Sequence, residues 1–223
     1  MKPVAHPFVR WLTSCCLALS LLWVQGLADE YVLAMLEKVR QRYGEEAYQN
    51  VQRLNELFTQ AASASELGKI TLVNDFTNQH VKFVDDINLW GIEDYWATPL
   101  ETFGRGAGDC EDFSIVKYTL LKRLGVPQDK LRMTYVRARM PSGAIRAHMV
   151  MAYYATPTSD PLILDNLRFD LQPASSRSDL VPVFSFNDKG LFVANNPNQR
   201  AGSSTNISKW RDVLTRMRQD GVE

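Results

Sequence analysis

Apolar residues recur at helical spacing through the first third of the chain and mainly at strand spacing in the second half. From Glu30 to Arg42 one face carries Val32, Leu33, Leu36 and Val39, and the run stops at Gly44. A second helix is predicted over Glu46 to Ala61, with Ala47, Val51, Leu54, Leu57 and Phe58 on its apolar face. A linker from Ala61 follows, and from Ser65 a third helix carries Leu67, Ile70, Val73 and Phe76 toward His80 and Phe83. All three read as packing elements without chemistry. Residues 84–104 lose the period and mix acids, Asn, Gly and Pro with Trp90, Tyr95 and Trp96, which predicts a long ordered loop. Helical spacing then returns at Phe113, Val116, Leu120, Leu121 and Leu124, ending at Gly125 and Pro127.

Strands are predicted over Leu131 to Ala138, Ala147 to Tyr154 and Pro161 to Leu164. Two more, Val181 to Phe186 and Leu191 to Ala194, flank the turn signal Asn187-Asp188-Lys189-Gly190. A closing helix over Ile207 to Met217 takes Ser208 as its cap. Helices first and antiparallel strands afterwards predict an α+β domain.

Composition narrows the function classes. The 223 residues hold 25 basic and 25 acidic side chains, so no basic excess points to nucleic acid. Lys2 and Arg10 precede an apolar run from Trp11 to Val24, and Gly26-Leu27-Ala28 supplies the small residues a signal peptidase reads. Residues 1–28 are therefore predicted to be a signal peptide exporting a single domain, 29–223; a retained anchor is the alternative. Loss of Lys2 and Arg10 leaves 23 basic against 25 acidic residues. Cys15 and Cys16 leave with the leader, and Cys110 remains as a lone thiol in an oxidising compartment.

Cys110 carries the candidate chemistry. Asp109 can cap the helix, which puts Cys110 at its first position, where free amides and the dipole favour a thiolate. Gly104, Gly106 and Gly108 precede it and are expected to keep the sulfur reachable. Asp109, Glu111 and Asp112 oppose this, because three carboxylates raise a thiol pKa unless a cation offsets them. His6 leaves with the leader and His80 sits among Asn78, Gln79 and Lys82, so His148, near a strand start, is the candidate base. Asp165 ends the next short strand and is the candidate orienting group, with Asp160 and Asp170 as rivals. The Cys110 amide is expected to serve an oxyanion, with Trp96 as a further donor, and Trp90, Tyr95 and Trp96 to wall the groove. Leu89-Trp90 is a candidate exposed docking patch, with a Trp closing over the core as the equal alternative.

The segments Asp94-Tyr95-Trp96-Ala97-Thr98-Pro99, Gly108-Asp109-Cys110-Glu111-Asp112-Phe113-Ser114, Lys117-Tyr118, Ala147-His148-Met149-Val150 and Leu164-Asp165-Asn166 resemble the bacterial transglutaminase-like cysteine proteinases. Within that family they are similar to the periplasmic proteases that release surface adhesins. The resemblance implies a papain-like, transglutaminase-like core with Cys110 on a helix and His148 and Asp165 on adjacent strands. It implies cleavage of a large surface adhesin at a di-alanine site in its N-terminal region, which disperses biofilm. An inner-membrane cyclic di-GMP receptor would be the inhibitory partner. It further implies Ca²⁺ dependence, with Asp109 and Glu111 involved; Asp112, and more weakly Asp86 and Asn88, are added as oxygen ligands on chemistry. An acyltransferase and a non-catalytic binding module of the same fold are the alternatives.

Overall fold

The computed structural model describes residues 30–193 and 196–222. The predicted leader and Ala194 lie outside the described residues. Helix α1 covers residues 30–43 and α2 Glu45–Ala62. The first turns so that Tyr31, Val32, Met35, Leu36 and Val39 are buried, while Leu33 faces solvent at 64% exposure, one step off the expected stripe. Helix α3, Glu66–His80, begins at Ser65, whose hydroxyl accepts from Gly68 N at 3.1 Å. It ends before Phe83, because Val81 turns extended and strand β1, Lys82–Phe83, pairs in parallel with β2, Ala107–Gly108.

The region between β1 and β2 corrects the predicted loop. It contains two short helices, α4 (Asp86–Leu89) and α5 (Pro99–Arg105). Thr98 and Glu101 explain the second: Thr98 Oγ1 accepts from Glu101 N at 3.2 Å, and Glu101 Oε2 accepts from Thr98 N at 2.7 Å, with Pro99 at the first helical position. Gly106, at φ +63°, ends α5 in the left-handed region.

Helix α6, Cys110–Arg123, runs through the centre, buried from Glu111 to Leu121 along almost its whole surface. It packs on α3 and α5 and, on its other side, on a seven-stranded antiparallel sheet. That sheet comprises β3 (Leu131–Arg139), β4 (Ile145–Tyr153), β5 (Leu162–Leu164), β6 (Gln172–Pro173), β7 (Leu180–Asn187), β8 (Gly190–Val193) and β9 (Asn196–Gly202). Its spatial order is β6-β5-β4-β3-β7-β8-β9. Met133, Met149, Met151, Leu164 and Phe186 face the helices and join their core. Val136, Val150, Ala152 and Ile163 form a second, smaller apolar cluster. Alternation along β4 and β5 puts this cluster on the opposite face. Helix α7, Ser208–Asp220, closes the chain; its cap position is Ile207, because Ser208 already lies inside the helix. No helix of the described residues is long and apolar enough to cross a membrane.

Candidate active site

Cys110 stands at the head of α6, and the chain before it is held from both sides. Asp112 turns back so that its Oδ2 accepts from Asp109 N at 3.2 Å and its Oδ1 from Ala97 N at 2.7 Å. A Cβ on Gly108 would lie 2.6 Å from Asp112 Oδ2, so this glycine admits the carboxylate rather than exposing the sulfur. Gly104 similarly makes room for the Tyr43 ring, and Gly106 for the end of α5. All three glycines thus shape the approach to the helix and act on Cys110 only through it.

The thiol donates to Glu111 Oε2 at 3.0 Å. Burial, the Glu111 carboxylate and then Asp109 push the Cys110 thiol well up, and a bond from the Met149 amide only partly opposes them. His148 is on β4 opposite Val136 of β3. It shares with Cys110 a cavity of about 340 Å³, whose walls include Phe83, Trp96, Tyr135 and Leu167. Both residues line this cavity, and the hydrogen bond of the thiol there is to the Glu111 carboxylate.

The imidazole is anchored from behind. Its Nε2 lies 2.8 Å from Asp165 Oδ1, just past the end of β5. Burial alone would raise the Asp165 carboxyl, but the bond and charge of His148, with Leu167 N and Arg177, hold it at about 2. Arg177 Nη2 donates to Asp165 Oδ2 at 2.7 Å and to Asp179 Oδ2 at 2.9 Å, while Nε donates to Asp179 Oδ1 at 3.0 Å. Asn78 Nδ2 donates to the Asp165 carbonyl at 2.9 Å. Lys117, fully buried on α6, has an Nζ with no hydrogen-bond partner, and burial pulls it to about 7 against the attraction of Asp165 and Asp75. The rivals play other parts: Asp160 accepts from exposed Ser175, and Asp170 from half-buried Gln172.

In front of Cys110 lies an acidic cluster. Carboxylate oxygens of Asp86, Asp109 and Asp112 fall within 4.8 Å of one another, as do those of Asp86, Asp94 and Glu111. The β1–β2 pairing, with Val84 N on Gly108 O at 3.0 Å, brings Asp86 there from α4. Burial pushes Asp86 up to about 6 and, together with Glu111, Asp109 up to about 8. Asp112 is raised well above its ordinary range by burial and by Asp109. Asp86 Oδ1 and Asp109 Oδ1 are buried without partners. Oxygens bound at ~2.4 Å to one calcium ion lie at most ~5 Å apart, so each of these triads has the spacing and chemistry for one. Asn88, by contrast, is exposed on α4.

The aromatic expectations divide. Trp96 lines the cavity, but its Nε1 donates to Asp94 Oδ1 at 3.1 Å, which occupies the expected oxyanion donor. Tyr95 turns its hydroxyl to Glu101 at 2.8 Å and Arg216, and Trp90 packs on Tyr95 with Arg105 5.2 Å from its ring, so neither walls the groove. Arg177, Asn78, Lys117 and Asp94 were not read from the sequence as site residues. Asp94 and Lys117 stand only within the motifs of the resemblance, and nothing local marks Arg177, which reaches Asp165 from twelve residues away.

The chain matches the family model of bacterial transglutaminase-like cysteine proteinases over residues 38–179. Among solved structures it is similar to Legionella pneumophila LapG, with 36% identity, a TM-score of 0.71 and coverage of 83% of this chain and 97% of that one. The EGTA-treated form of that protein matches at 36% identity and a TM-score of 0.73 over the same shares of the two chains. Its calcium-bound form matches at 37% and 0.69, over 82% of this chain and 97% of that one. No curated protein sequence matches the chain.

Proposed function

The chain belongs to the bacterial transglutaminase-like cysteine proteinases, and from that membership we propose that it is a calcium-dependent periplasmic cysteine endopeptidase. Its substrate is the N-terminal region of a large surface adhesin, cut at a di-alanine site so that the adhesin is released and biofilm disperses. The observation that carries the reading is Cys110 at the head of α6 in one cavity with a histidine whose far nitrogen is held 2.8 Å from Asp165.

Because Nε2 of His148 is committed to Asp165, Nδ1 is the nitrogen left to exchange protons with Cys110. His148 takes the thiol proton and Cys110 Sγ attacks the scissile carbonyl. The imidazolium then protonates the leaving amine as the peptide bond breaks to a thioester. Water, deprotonated by the same nitrogen, attacks the thioester, and its breakdown returns the thiol and frees the new carboxylate. Asp165 fixes the ring and its tautomer throughout. The Cys110 backbone N–H, one of the unpaired amides at the helix start, is the oxyanion donor.

Asp86, Asp109, Glu111 and Asp112 would hold calcium, and the ion supplies positive charge that offsets the carboxylates facing the sulfur. The calcium-bound and EGTA-treated structures of the Legionella relative support this reading. The inhibitory partner we propose is an inner-membrane receptor for cyclic di-GMP. Trp90 is half-buried, so Ile87 and Ile92, at 52% and 53% exposure, replace it as the apolar surface of that region.

Incubating the chain with an adhesin N-terminal fragment, with calcium or with excess chelator, followed by N-terminal sequencing, tests the proposal. A new N-terminus at the alanine pair that is lost in Cys110→Ala and in chelator supports it. An amine-bearing isopeptide product assigns acyl transfer instead, and undiminished cleavage by Cys110→Ala overturns the nucleophile.

A further inference from the structure

The sheet face turned away from α6 holds a cavity of about 290 Å³ that the proteolytic reading does not use. Its floor is the second apolar cluster, Val136, Val150, Ala152 and Ile163, and Pro161 and Pro182 stand among its walls. Two buried polar side chains also line it. Arg177 is 2% exposed and its Nη1 has no hydrogen-bond partner; Thr134 is 8% exposed and its Oγ1 has none. An all-apolar packing defect has no polar lining, whereas two of these lining side chains carry buried polar atoms left unpaired, an unfavourable arrangement that a ligand acceptor would relieve.

We propose that this cavity is a second ligand site, taking a compact neutral apolar molecule with a carbonyl acceptor, and that its occupancy reaches the catalytic pair through Arg177. Size sets the first property. A dry cavity of about 150 Å³ in another protein holds benzene, so about twice that volume admits on the order of twelve non-hydrogen atoms. Charge sets the second. The guanidinium already serves two carboxylates, Asp165 at 2.7 Å and Asp179 at 2.9 Å, so a ligand carboxylate would be a third anion on one cation. A neutral carbonyl can accept from Nη1 without that repulsion. Coupling follows from connectivity: a ligand on Nη1 competes for the orientation of the guanidinium whose Nη2 fixes Asp165, and Asp165 fixes His148. This last clause rests on the reading of Asp165 as the orienting carboxylate, while binding itself does not.

The test uses octanamide as probe, with octanoate and octylamine as controls, and calorimetric titration into calcium-loaded Cys110→Ala protein. Binding is thereby read without turnover and fails or succeeds independently of the protease assignment. Octanamide is expected to bind with a dissociation constant below about 1 mM and octanoate at least about tenfold more weakly. Ala152→Leu, which fills the cavity, and Pro182→Trp, which blocks its wall, are each expected to abolish binding in the Cys110→Ala background. In chains with Cys110 intact, both should leave adhesin cleavage unchanged. In the wild type, saturating octanamide should shift kcat/KM by roughly 2- to 10-fold, an effect absent in Ala152→Leu. No binding at about 10 mM, a water-sized occupant only, overturns the site. So does octanoate binding more tightly than octanamide, or undiminished binding by both filled variants. Binding with unchanged kcat/KM overturns the coupling.

Discussion

The two acidic regions that flank Cys110 and His148 are built on opposite electrostatic plans. Past the end of β5, Asp165 is buried yet fully served, by His148, by Leu167 N and by Arg177. It remains ionised, at about 2. At the head of α6, Asp86, Asp109, Glu111 and Asp112 are gathered with two buried oxygens unserved and every carboxyl pushed upward. A buried anion with a cation and amide donors is complete, whereas several without a cation are not. The Asp165 region is thus electrostatically complete in the free chain, and the region at the head of α6 is not.

The contrast breaks most sharply at the catalytic atoms. Cys110→Ala should abolish cleavage, measured by product N-termini, with the fold retained by circular dichroism. Asp165→Asn keeps the shape but presents a donor to Nε2, and should lower kcat by about 10³–10⁴-fold in steady-state assays. Next in size is Arg177→Met, which strands Asp165 and Asp179. It should cost about 3–5 kcal/mol in urea unfolding, whether or not calcium is present.

Proton binding separates the two regions without mutation. Asp86 and Asp109 have folded pKa values of about 6 and about 8 against an ordinary 3.8, so the folded chain holds more protons than the unfolded one between those values. In chelator, stability should therefore fall as pH rises from about 4 to 8, by at least ~5 °C in melting temperature, and calcium should flatten the slope. Asp165 has the opposite sign: its contribution is full above 3.8 and is lost as pH falls through about 2. A chelated protein whose melting temperature rises from pH 5 to pH 8 would contradict the first region's plan. The smallest effect sharpens the comparison from the scaffold side. Thr98→Ala removes the cap of α5, and should cost about 1 kcal/mol while leaving kcat in calcium unchanged.

How legible these regions were in the sequence follows the same division. Periodicity predicts α1, α2, α3, α6 and α7, the strands β3, β4, β5, β7 and β8, and the helix start at Cys110, because each is a local pattern of burial; the polar run of β9, Asn196–Gly202, carries no such pattern and is not anticipated. The chemistry of Asp109, Glu111 and Asp112 was visible as adjacent acids. Asp86 joins them through a parallel two-residue pairing of β1 and β2 that no alternation announces. Residues 84–104 read as a loop because polar and aromatic residues obscured the period, although Thr98-Pro99-Leu100-Glu101 is itself a helix-start signal. Arg177 and Asn78 were invisible for a different reason. Asn78 looked like a solvent-facing residue beside His80, yet it is 7% exposed and holds the Asp165 carbonyl, a role fixed only when α3 meets the end of β5.

The most direct measurement is the alkylation rate of Cys110 by iodoacetamide at neutral pH, in calcium and in excess chelator, for the wild type and for His148→Ala. The account expects rapid modification only when calcium and His148 are both present, with the other three conditions slow by at least about tenfold. Equal rates in all four would contradict it, because the thiol would then owe its reactivity neither to the imidazole nor to a cation at the acidic cluster.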